Sequence, residues 1–586
     1  MRLAALLKER CNSKICGLEC IKYCPVVRSG KEAVVLVADK PSISEELCVG
    51  CGICTHKCPF EAIKIINLPE ELKEELVHQY GRNEFRLFRL PSIKEGKVIA
   101  LLGPNGIGKT TALNILCGDL VPNLGNCYKP AEWQHCLKKF AGTELYNYLS
   151  KLATKKITAS IKPQYVDKLL DTCTNKKVIE LLESSNPSKE HLNFVVQQLE
   201  LEDLKERYLA TLAGGELQRV AIANTILKSA DIYFFDEPSS YLDVYQRLKV
   251  ARIIKVLAER KKVVVVEHDL AVLDFLADEI CLLYGSEGAY GIVAQPKTAR
   301  VAINDYLEGY LKEENVRFRD WKIEFATKPA IRRWPSGVFF EYGALVKSYE
   351  KFVLRVSEGK VHKGEVVGIV GPNATGKTTF MELLAGKLKP SEGKIDLALA
   401  ISYKPQYINL KGDAKVKELL TEKTAEASLL VELERGLSLK SLYNKSVNAL
   451  SGGELQRVAI ALALAQEADI YLIDEPSAYL DSSQRMEAAK TIRKMMEQRG
   501  KSAMIVDHDV YLIDLVADSL VVFSGIPAKE GFAQGPFDMR TGMNLFLKSL
   551  DITFRRDADS NRPRINKPES RLDREQKEKG EYYYIT

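Results

Sequence analysis

The residues best suited to chemistry in this chain are two glycine-rich loops and a crowd of cysteines. Gly103-Pro-Asn-Gly-Ile-Gly-Lys-Thr-Thr111 and Gly371-Pro-Asn-Ala-Thr-Gly-Lys-Thr-Thr379 both fit GxxxxGK[ST], a spacing whose backbone N–H groups cradle a polyphosphate. In that pattern Lys109 and Lys377 reach the β- and γ-phosphates, while Thr110 and Thr378 offer a hydroxyl to Mg2+. Asn105, Gly106, Gly108 and Thr111, with Asn373, Gly376 and Thr379, complete the two nucleotide-binding sets. The chemistry expected of them is binding of a nucleotide's polyphosphate with Mg2+.

Eight of the thirteen cysteines precede residue 60, and such crowding points to metal. Cys48, Cys51, Cys54 and Cys58-Pro59 form C-x2-C-x2-C-x3-C-P, the bacterial ferredoxin run. Cys11, Cys16, Cys20 and Cys24-Pro25 form a less regular first run. In two-cluster ferredoxins the fourth cysteine of each run serves the other cluster. By that rule Cys48, Cys51, Cys54 and Cys24 hold one [4Fe–4S] cluster, and Cys11, Cys16, Cys20 and Cys58 hold a second. Two four-cysteine zinc sites are the alternative. The scattered Cys117, Cys127, Cys136, Cys173 and Cys281 read as buried apolar thiols.

The elements that must hold these residues occur twice along the chain. Gly214–Ala223 and Gly452–Ala461 both read GGELQRVAIA, preceded by Leu212-Ala213 and Leu450-Ser451. Lys162-Pro-Gln-Tyr165 recurs as Lys404-Pro-Gln-Tyr407. Asp236-Glu237-Pro238 recurs as Asp474-Glu475-Pro476, and Glu267-His268-Asp269 as Asp507-His508-Asp509. Apolar runs such as Val98–Leu102 and Val366–Val370 supply buried strands ahead of the loops. Five motifs in one order, twice, make an internal repeat.

Together these motifs resemble a tandem pair of ABC-type ATPase domains, over roughly residues 75 to 545. The resemblance implies that Asp236 and Asp474 direct Mg2+, with Gln164 and Gln406 beside the metal or the water. Glu237 and Glu475 would polarise the attacking water, with His268 and His508 near the γ-phosphate. It also implies that each GGELQ segment binds the nucleotide of the opposite domain, so the two halves act as an intramolecular dimer. One composite site then takes Lys109 and Glu237 with Ser451–Gln456, which includes Gly452, Gly453 and Glu454. The other takes Lys377 and Glu475 with Ala213–Gln218, which includes Gly214, Gly215 and Glu216. Asp243 and Asp481 match the loops that cross that interface. Ala213 departs from the family's serine, and a lost charge-assisted hydrogen bond costs about 1.5–3 kcal/mol, so weaker closure or slower hydrolysis is expected there. Tyr80 with Phe85, and Tyr349 with Phe352, are candidates for stacking on adenine or for core packing.

Spacing exposes an insertion in the first repeat. From the first loop glycine to the glutamine is 61 positions in one copy and 35 in the other, while signature leucine to strand aspartate is 24 in both. The extra residues, near 125–155, predict a helix–loop–helix with Trp133, Leu137 and Phe140 on one helix. Thr143 is placed to cap the second, which carries Leu145, Tyr148, Leu149 and Leu152. Six lysines (Lys129, Lys138, Lys139, Lys151, Lys155, Lys156) against Glu132 and Glu144 suit RNA phosphate contact or a solvated face. Basic residues also mark the joining segment (Lys312, Arg317, Arg319, Lys322, Arg332, Arg333) and the tail (Arg555, Arg556, Arg562, Arg564), each with acidic neighbours.

A fold class follows: α/β, two ABC-type P-loop nucleotide-binding domains in tandem behind a small α+β ferredoxin-like double-cluster domain. Expected limits are 1–72 for the iron–sulfur domain, 73–300 for the first ATPase domain, 301–340 for a hinge, 341–543 for the second ATPase domain and 544–586 for a C-terminal hinge and tail. No apolar run approaches the length of a bilayer span, and no signal-peptide pattern opens the chain, so a cytoplasmic protein without membrane partners is expected. A net charge of +6 over 586 residues decides nothing by itself.

A double-cluster module ahead of twin ABC domains, with a hairpin in the first, is similar to the ABC-type ribosome recycling family of archaea and eukaryotes, also called the RNase L inhibitor family. The resemblance implies ATP-driven splitting of ribosomes, lasting association with the small subunit (its rRNA and proteins), a release-factor-like partner and a hand-over to initiation factors. The rival readings are a transporter's nucleotide-binding component and a redox enzyme that spends ATP on low-potential electron transfer.

Overall fold

The computed structural model describes residues 2–67, 70–128, 131–166, 170, 175–325, 337–395, 399–408, 410, 412–424 and 426–583. Lys129, Cys173, Arg332 and Arg333 lie outside the described residues. The chain divides into two compact units. One comprises Met1–Ser240, Lys249–His268 and Leu276–Asp320; the other comprises Tyr241–Leu248, Asp269–Phe275 and Trp321–Thr586.

In the first unit, strand Arg2–Leu6 pairs antiparallel with Ile63–Asn67, and Val34–Val37 forms a hairpin with Lys40–Ile43. Short helices Glu19–Lys22, Pro25–Arg28 and Ile53–Lys57 carry or flank the cysteine runs. Ala4, Leu6, Val34, Ile43, Ala62 and Ile63 make a small buried core against which Cys11, Cys24, Cys48, Cys54 and Cys58 pack.

The first unit also holds a nine-stranded sheet. Its central strands run Glu279–Ser286, Val98–Leu102, Lys262–Val266, Ile232–Asp236 and Ala159–Lys162, parallel to one another. Val98–Leu102 and Ile232–Asp236 are buried at every position, as strands covered on both faces must be. The parallel order brings four carboxyl ends side by side, which is where open α/β sheets bind ligands. The loop Gly103–Gly108, Gln164, the Asp236-Glu237 pair and His268 all follow those ends.

The second unit repeats this plan in eight strands, with Ser519–Ile526, Val366–Val370, Ser502–Val506, Ile470–Asp474 and Ile401–Lys404 in the same order. Sequence duplication has become duplication of topology.

The insertion forms helices Trp133–Lys139 and Glu144–Ala153. Phe140, Tyr148, Leu149 and Leu152 are buried in the sheet's core cluster, with Trp133, Leu137 and Leu145 packed against it. Thr143 sits at the cap position, but its hydroxyl donates to Phe140 O (2.7 Å) and caps nothing. Cys136 and Cys281 are buried as expected, whereas Cys117 and Cys127 are only partly so. Cys117 Sγ lies 3.1 Å from an Asp119 carboxylate oxygen. No helix among the described residues is long and apolar enough to cross a membrane.

Candidate active sites and cysteine module

The phosphate loops are held by their own geometry. Gly108 and Gly376, each at φ 96°, cap helices Lys109–Cys117 and Lys377–Leu384. A Cβ on Gly108 would come within 2.6 Å of Phe85, and one on Gly376 within 3.0 Å of Phe352, so glycine is required twice over. Lys109 Nζ donates to Gly103 O (2.8 Å) and Pro104 O (2.7 Å). Lys377 Nζ donates to Gly371 O (2.9 Å) and Pro372 O (2.6 Å). Both ammonium groups are thus poised inside the loop.

The candidate aromatics differ in exposure. Phe85 and Phe352 are half-buried against the core beside the loop glycines. Tyr80 and Tyr349 are about half exposed, at 50% and 45%, and Tyr80 OH lies 3.2 Å from Thr111 Oγ1.

Each acidic pair gathers the remaining predicted residues. Thr110 Oγ1 donates to Asp236 Oδ2 (3.2 Å), and Thr378 Oγ1 to Asp474 Oδ2 (2.8 Å). Gln164 Nε2 donates to Glu237 Oε1 (2.7 Å), and Gln406 Nε2 to Glu475 Oε1 (2.8 Å). His268 Nε2 and His508 Nε2 each lie 3.6 Å from the same glutamate's Oε1. Glu237 and Glu475 have φ of 48° and 47°, a conformation that costs a non-glycine residue about 1–3 kcal/mol and clusters at functional sites. Burial, and then the adjacent Glu237 charge, push Asp236 up to about 6. Burial likewise raises Asp474 and Glu475 and drives His508 well below its ordinary value, so His508 is neutral near pH 7.

The carboxylates suit a hard divalent cation. Asp474 Oδ1 is buried with no hydrogen-bond partner among the described residues, next to an Oδ2 that already accepts from Thr378. One oxygen is therefore left for a metal such as Mg2+, which prefers oxygen ligands.

Two groups escaped the reading of sites from sequence. Lys162 and Lys404, inside the repeated Lys-Pro-Gln-Tyr strings, are buried beneath the acidic pairs. Lys162 Nζ donates to Asp236 O (2.9 Å) and Glu237 O (3.2 Å); Lys404 Nζ donates to Asp474 O (2.6 Å) and Glu475 O (3.2 Å). Burial lowers both lysines to about 8. Recurrence of the lysine two residues before each glutamine was the available signal.

The GGELQ segments open helices Gly214–Leu227 and Gly452–Ala465. Ala213 N–H donates to Glu216 Oε2 (2.9 Å) and Ser451 N–H to Glu454 Oε2 (3.0 Å). Ser451 Oγ also accepts from Glu454 N–H (3.4 Å), completing a capping box. Ala213 has no hydroxyl and keeps half of it. In the second unit Asp243 Oδ2 accepts from Asn373 N–H (2.8 Å), and Asp481 caps helix Ser482–Arg499.

In the cysteine module Gly50 and Gly52 take positive φ, 62° and 82°, to turn the second run. The thiols influence one another in two sets. Burial raises Cys11 and, to about 12, Cys20, and their neighbours in charge are Cys16 and Cys58. Burial raises Cys54 to about 11, reinforced by Cys48, Cys51 and Cys24. Each set crosses the two runs. Among the described residues no three His, Cys, Asp or Glu converge as ligands of a single metal ion. What fits a cluster is the chemistry of the donors, four soft thiols per set.

Basic residues elsewhere divide between internal contacts and exposed positions. Lys139 Nζ donates to Leu76 O (2.5 Å), while Lys138, Lys151, Lys155 and Lys156 are exposed. Arg319 is buried, donating to Tyr306 O and Leu307 O (2.5 and 2.7 Å). Arg556 forms a bidentate pair with Asp514 (2.8 Å each), and Arg555 donates to Asn566 Oδ1 (3.1 Å). Arg562 and Arg564 both bond Asp274 (3.2 and 2.9 Å). Burial or ion pairing thus engages Arg319, Arg556, Arg562 and Arg564 inside the fold, and Lys139 is half-buried.

Comparison with known proteins agrees with this architecture. Family models described as "ABC transporter" match residues 91–240 and 354–478, and "4Fe-4S binding domain" matches 41–64. "Possible Fer4-like domain in RNase L inhibitor, RLI" matches 1–32. Translation initiation factor RLI1 of Saccharomyces cerevisiae is 45% identical over 597 residues, covering 100% of this chain and 98% of that protein. The chain belongs to the RNase L inhibitor family. This family member resembles ABCE1 in a structure of ribosome-bound archaeal Pelota and ABCE1, at 51% identity and TM-score 0.91, over 100% of this chain and 99% of that one. It also resembles the archaeal ribosome recycling factor aABCE1 crystallised with the archaeal ribosomal stalk protein aP1, at 52% identity and TM-score 0.84, over 88% and 100% of the two chains. As an RNase L inhibitor family protein with two ABC domains, it is an ATPase that binds iron–sulfur clusters.

Proposed function

We propose that this chain is a ribosome recycling factor: closure of its two ABC domains on ATP splits ribosomes into subunits after termination or rescue, and the protein stays on the small subunit. The observation that carries the reading is the doubled constellation of lysine, threonine, aspartate, glutamate, glutamine and histidine at the ends of two matching sheets. Its direction toward the ribosome comes from the relatives, one named a translation initiation factor and one a ribosome recycling factor.

In this reading Thr110, Asp236 and Gln164, and Thr378, Asp474 and Gln406, hold Mg2+, which when bound neutralises charge on the β- and γ-phosphates. Glu237 and Glu475 accept a proton from the attacking water. Gln164 and Gln406 orient those carboxylates, and His268 and His508 lie beside them. Each composite site is completed by the opposite signature, Ser451–Glu454 or Ala213–Glu216, so nucleotide draws the halves together.

Two [4Fe–4S] clusters are proposed, on Cys11, Cys16, Cys20 and Cys58 and on Cys24, Cys48, Cys51 and Cys54. The thiol sets support this partition. The clusters make the domain a rigid lever moved by closure rather than an electron carrier. The proposed limits are 1–72, 73–300, 301–340, 341–543 and 544–586. The proposed partners are the small subunit, a release-factor-like protein of the Pelota kind and initiation factors, in the cytoplasm.

The test is sedimentation of purified ribosomes with the iron-loaded protein, ATP and a release-factor-like protein. Subunit peaks that require ATP are expected. Intact ribosomes under all conditions would remove the reading.

A further inference from the structure

We infer that Lys162 with Gln218, and Lys404 with Gln456, are positioning residues for ATP hydrolysis: each pair clamps the main-chain carbonyls of an acidic pair and holds Glu237 or Glu475 in its left-handed conformation. The inference deepens the proposed function and rests on its assignment of those glutamates to the attacking water.

The clamp has the same parts in both halves. Each lysine ends a strand, Ala159–Lys162 or Ile401–Lys404, and donates to two successive carbonyls of the acidic pair. The glutamine comes from a different element, the helix opened by GGELQ. Gln218 Nε2 donates to Glu237 O and Pro238 O (2.9 Å each), and Gln456 Nε2 to Glu475 O (2.6 Å). The glutamate carbonyl therefore receives two side-chain donors.

On the other side of the same residue, the N–H of Glu237 is held by Val266 O (2.9 Å) and that of Glu475 by Val506 O (2.8 Å). Main chain is pinned before and after a residue whose φ a glutamate rarely adopts. The side chain then has a fixed origin, from which Oε1 meets both the glutamine of the Lys-Pro-Gln-Tyr string and the histidine.

Burial argues against packing as the reason for these residues. Lys162, Gln218 and Gln456 are 0% exposed and Lys404 2%. Burying an ammonium or an amide is unfavourable unless its hydrogen bonds are made, and an apolar side chain would fill the space without that cost. The clamp also joins each signature helix to the water-polarising group of its own half, so displacement of that helix is felt at the glutamate carbonyl.

The experiment uses the full-length, cluster-loaded protein with both sites altered together. One variant carries Lys162→Met and Lys404→Met, another Gln218→Leu and Gln456→Leu, and a third Glu237→Gln and Glu475→Gln. Steady-state ATP hydrolysis and thermal unfolding are measured for all. The clamp predicts that kcat falls roughly ten- to hundred-fold in the first two variants, the scale of a small misplacement, while KM for ATP is retained. A kcat close to the parent's in a folded lysine or glutamine variant overturns it. So does a parallel collapse of kcat, KM and unfolding cooperativity in both, which is the mark of a merely structural role. Should only the lysine variant fail to fold, the glutamine variant decides. Undiminished turnover in the Glu→Gln variant removes the underlying assignment; lost turnover there with normal turnover in the clamp variants removes the clamp alone.

Discussion

Gln406 Nε2 donates to Glu475 Oε1 across 2.8 Å, and Gln164 does the same to Glu237 across 2.7 Å. A donor on one strand's exit thus fixes the rotation of a carboxylate on the next, with a histidine 3.6 Å from the same oxygen. Glu475→Gln combined with Glu237→Gln keeps the shape and removes the base. General-base contributions run about 10²–10⁴-fold, so turnover should fall by at least a hundred-fold while ATP binding, followed by equilibrium titration, persists. Turnover near the parent's would mean that another group takes the proton.

The cysteine sets make a prediction about pairs. If Cys24 serves the cluster of Cys48, Cys51 and Cys54, then Cys24→Ser with Cys54→Ser damages a single cluster and about half the iron survives. If each run held its own cluster, the same double substitution would damage both. Iron and sulfide analysis of anaerobically purified protein, with the Cys11→Ser, Cys58→Ser pair as the mirror experiment, distinguishes the two. Survival of iron in both doubles supports the crossed partition to which the thiol sets point.

Ala213 leaves the first signature helix with half of the box that Ser451 completes. Ala213→Ser should stabilise the helix start by about 1 kcal/mol. Under the composite-site proposal it also restores a hydroxyl to the site of Lys377 and Glu475. The expected outcome is a higher unfolding midpoint and faster or tighter nucleotide-driven closure. Unchanged turnover and closure would show that the missing serine has no bearing on that site.

What the sequence made legible was whatever is written in spacing. Loops, acidic pairs, the insertion and the cysteine runs have fixed intervals because each must wrap a ligand or turn a strand into a helix. Lys162 was not legible as a site residue, because its partners are main-chain carbonyls, which leave no complementary side chain to read. Arg562 read as tail charge for a related reason. Its partner Asp274 lies 288 residues away in sequence, and only folding brings them together. Thr143 shows the limit of cap rules: the residue is in the cap position, but its hydroxyl found the carbonyl of Phe140 first.

Arg562 and Asp274, both in the second unit and both with fully buried side chains, form an ion pair joined by Arg564 and by Tyr511, whose hydroxyl lies 2.7 Å from Arg562. Removing both arginines leaves the Asp274 charge buried and uncompensated, at a cost of about 3–5 kcal/mol. Arg562→Met combined with Arg564→Met should therefore lower denaturant stability by that order, with little dependence on salt, since buried pairs are poorly screened. Loss of less than about 1 kcal/mol, the range of an exposed pair, would show that the charges are solvated.

The hairpin lysines divide by what they touch. Lys138, Lys151, Lys155 and Lys156 are exposed, whereas Lys139 donates to Leu76 O. An RNA-phosphate surface loses affinity in proportion to the cations removed, and its salt slope falls by about one for each phosphate no longer neutralised. Replacing the four exposed lysines with glutamine should weaken small-subunit binding and flatten its dependence on salt, leaving ATP hydrolysis without ribosomes intact. Lys139→Gln should instead lower the unfolding midpoint and leave the salt slope alone. An unchanged slope in the fourfold variant would mean that these lysines are a solvated face, and that the small subunit is bound elsewhere on the chain.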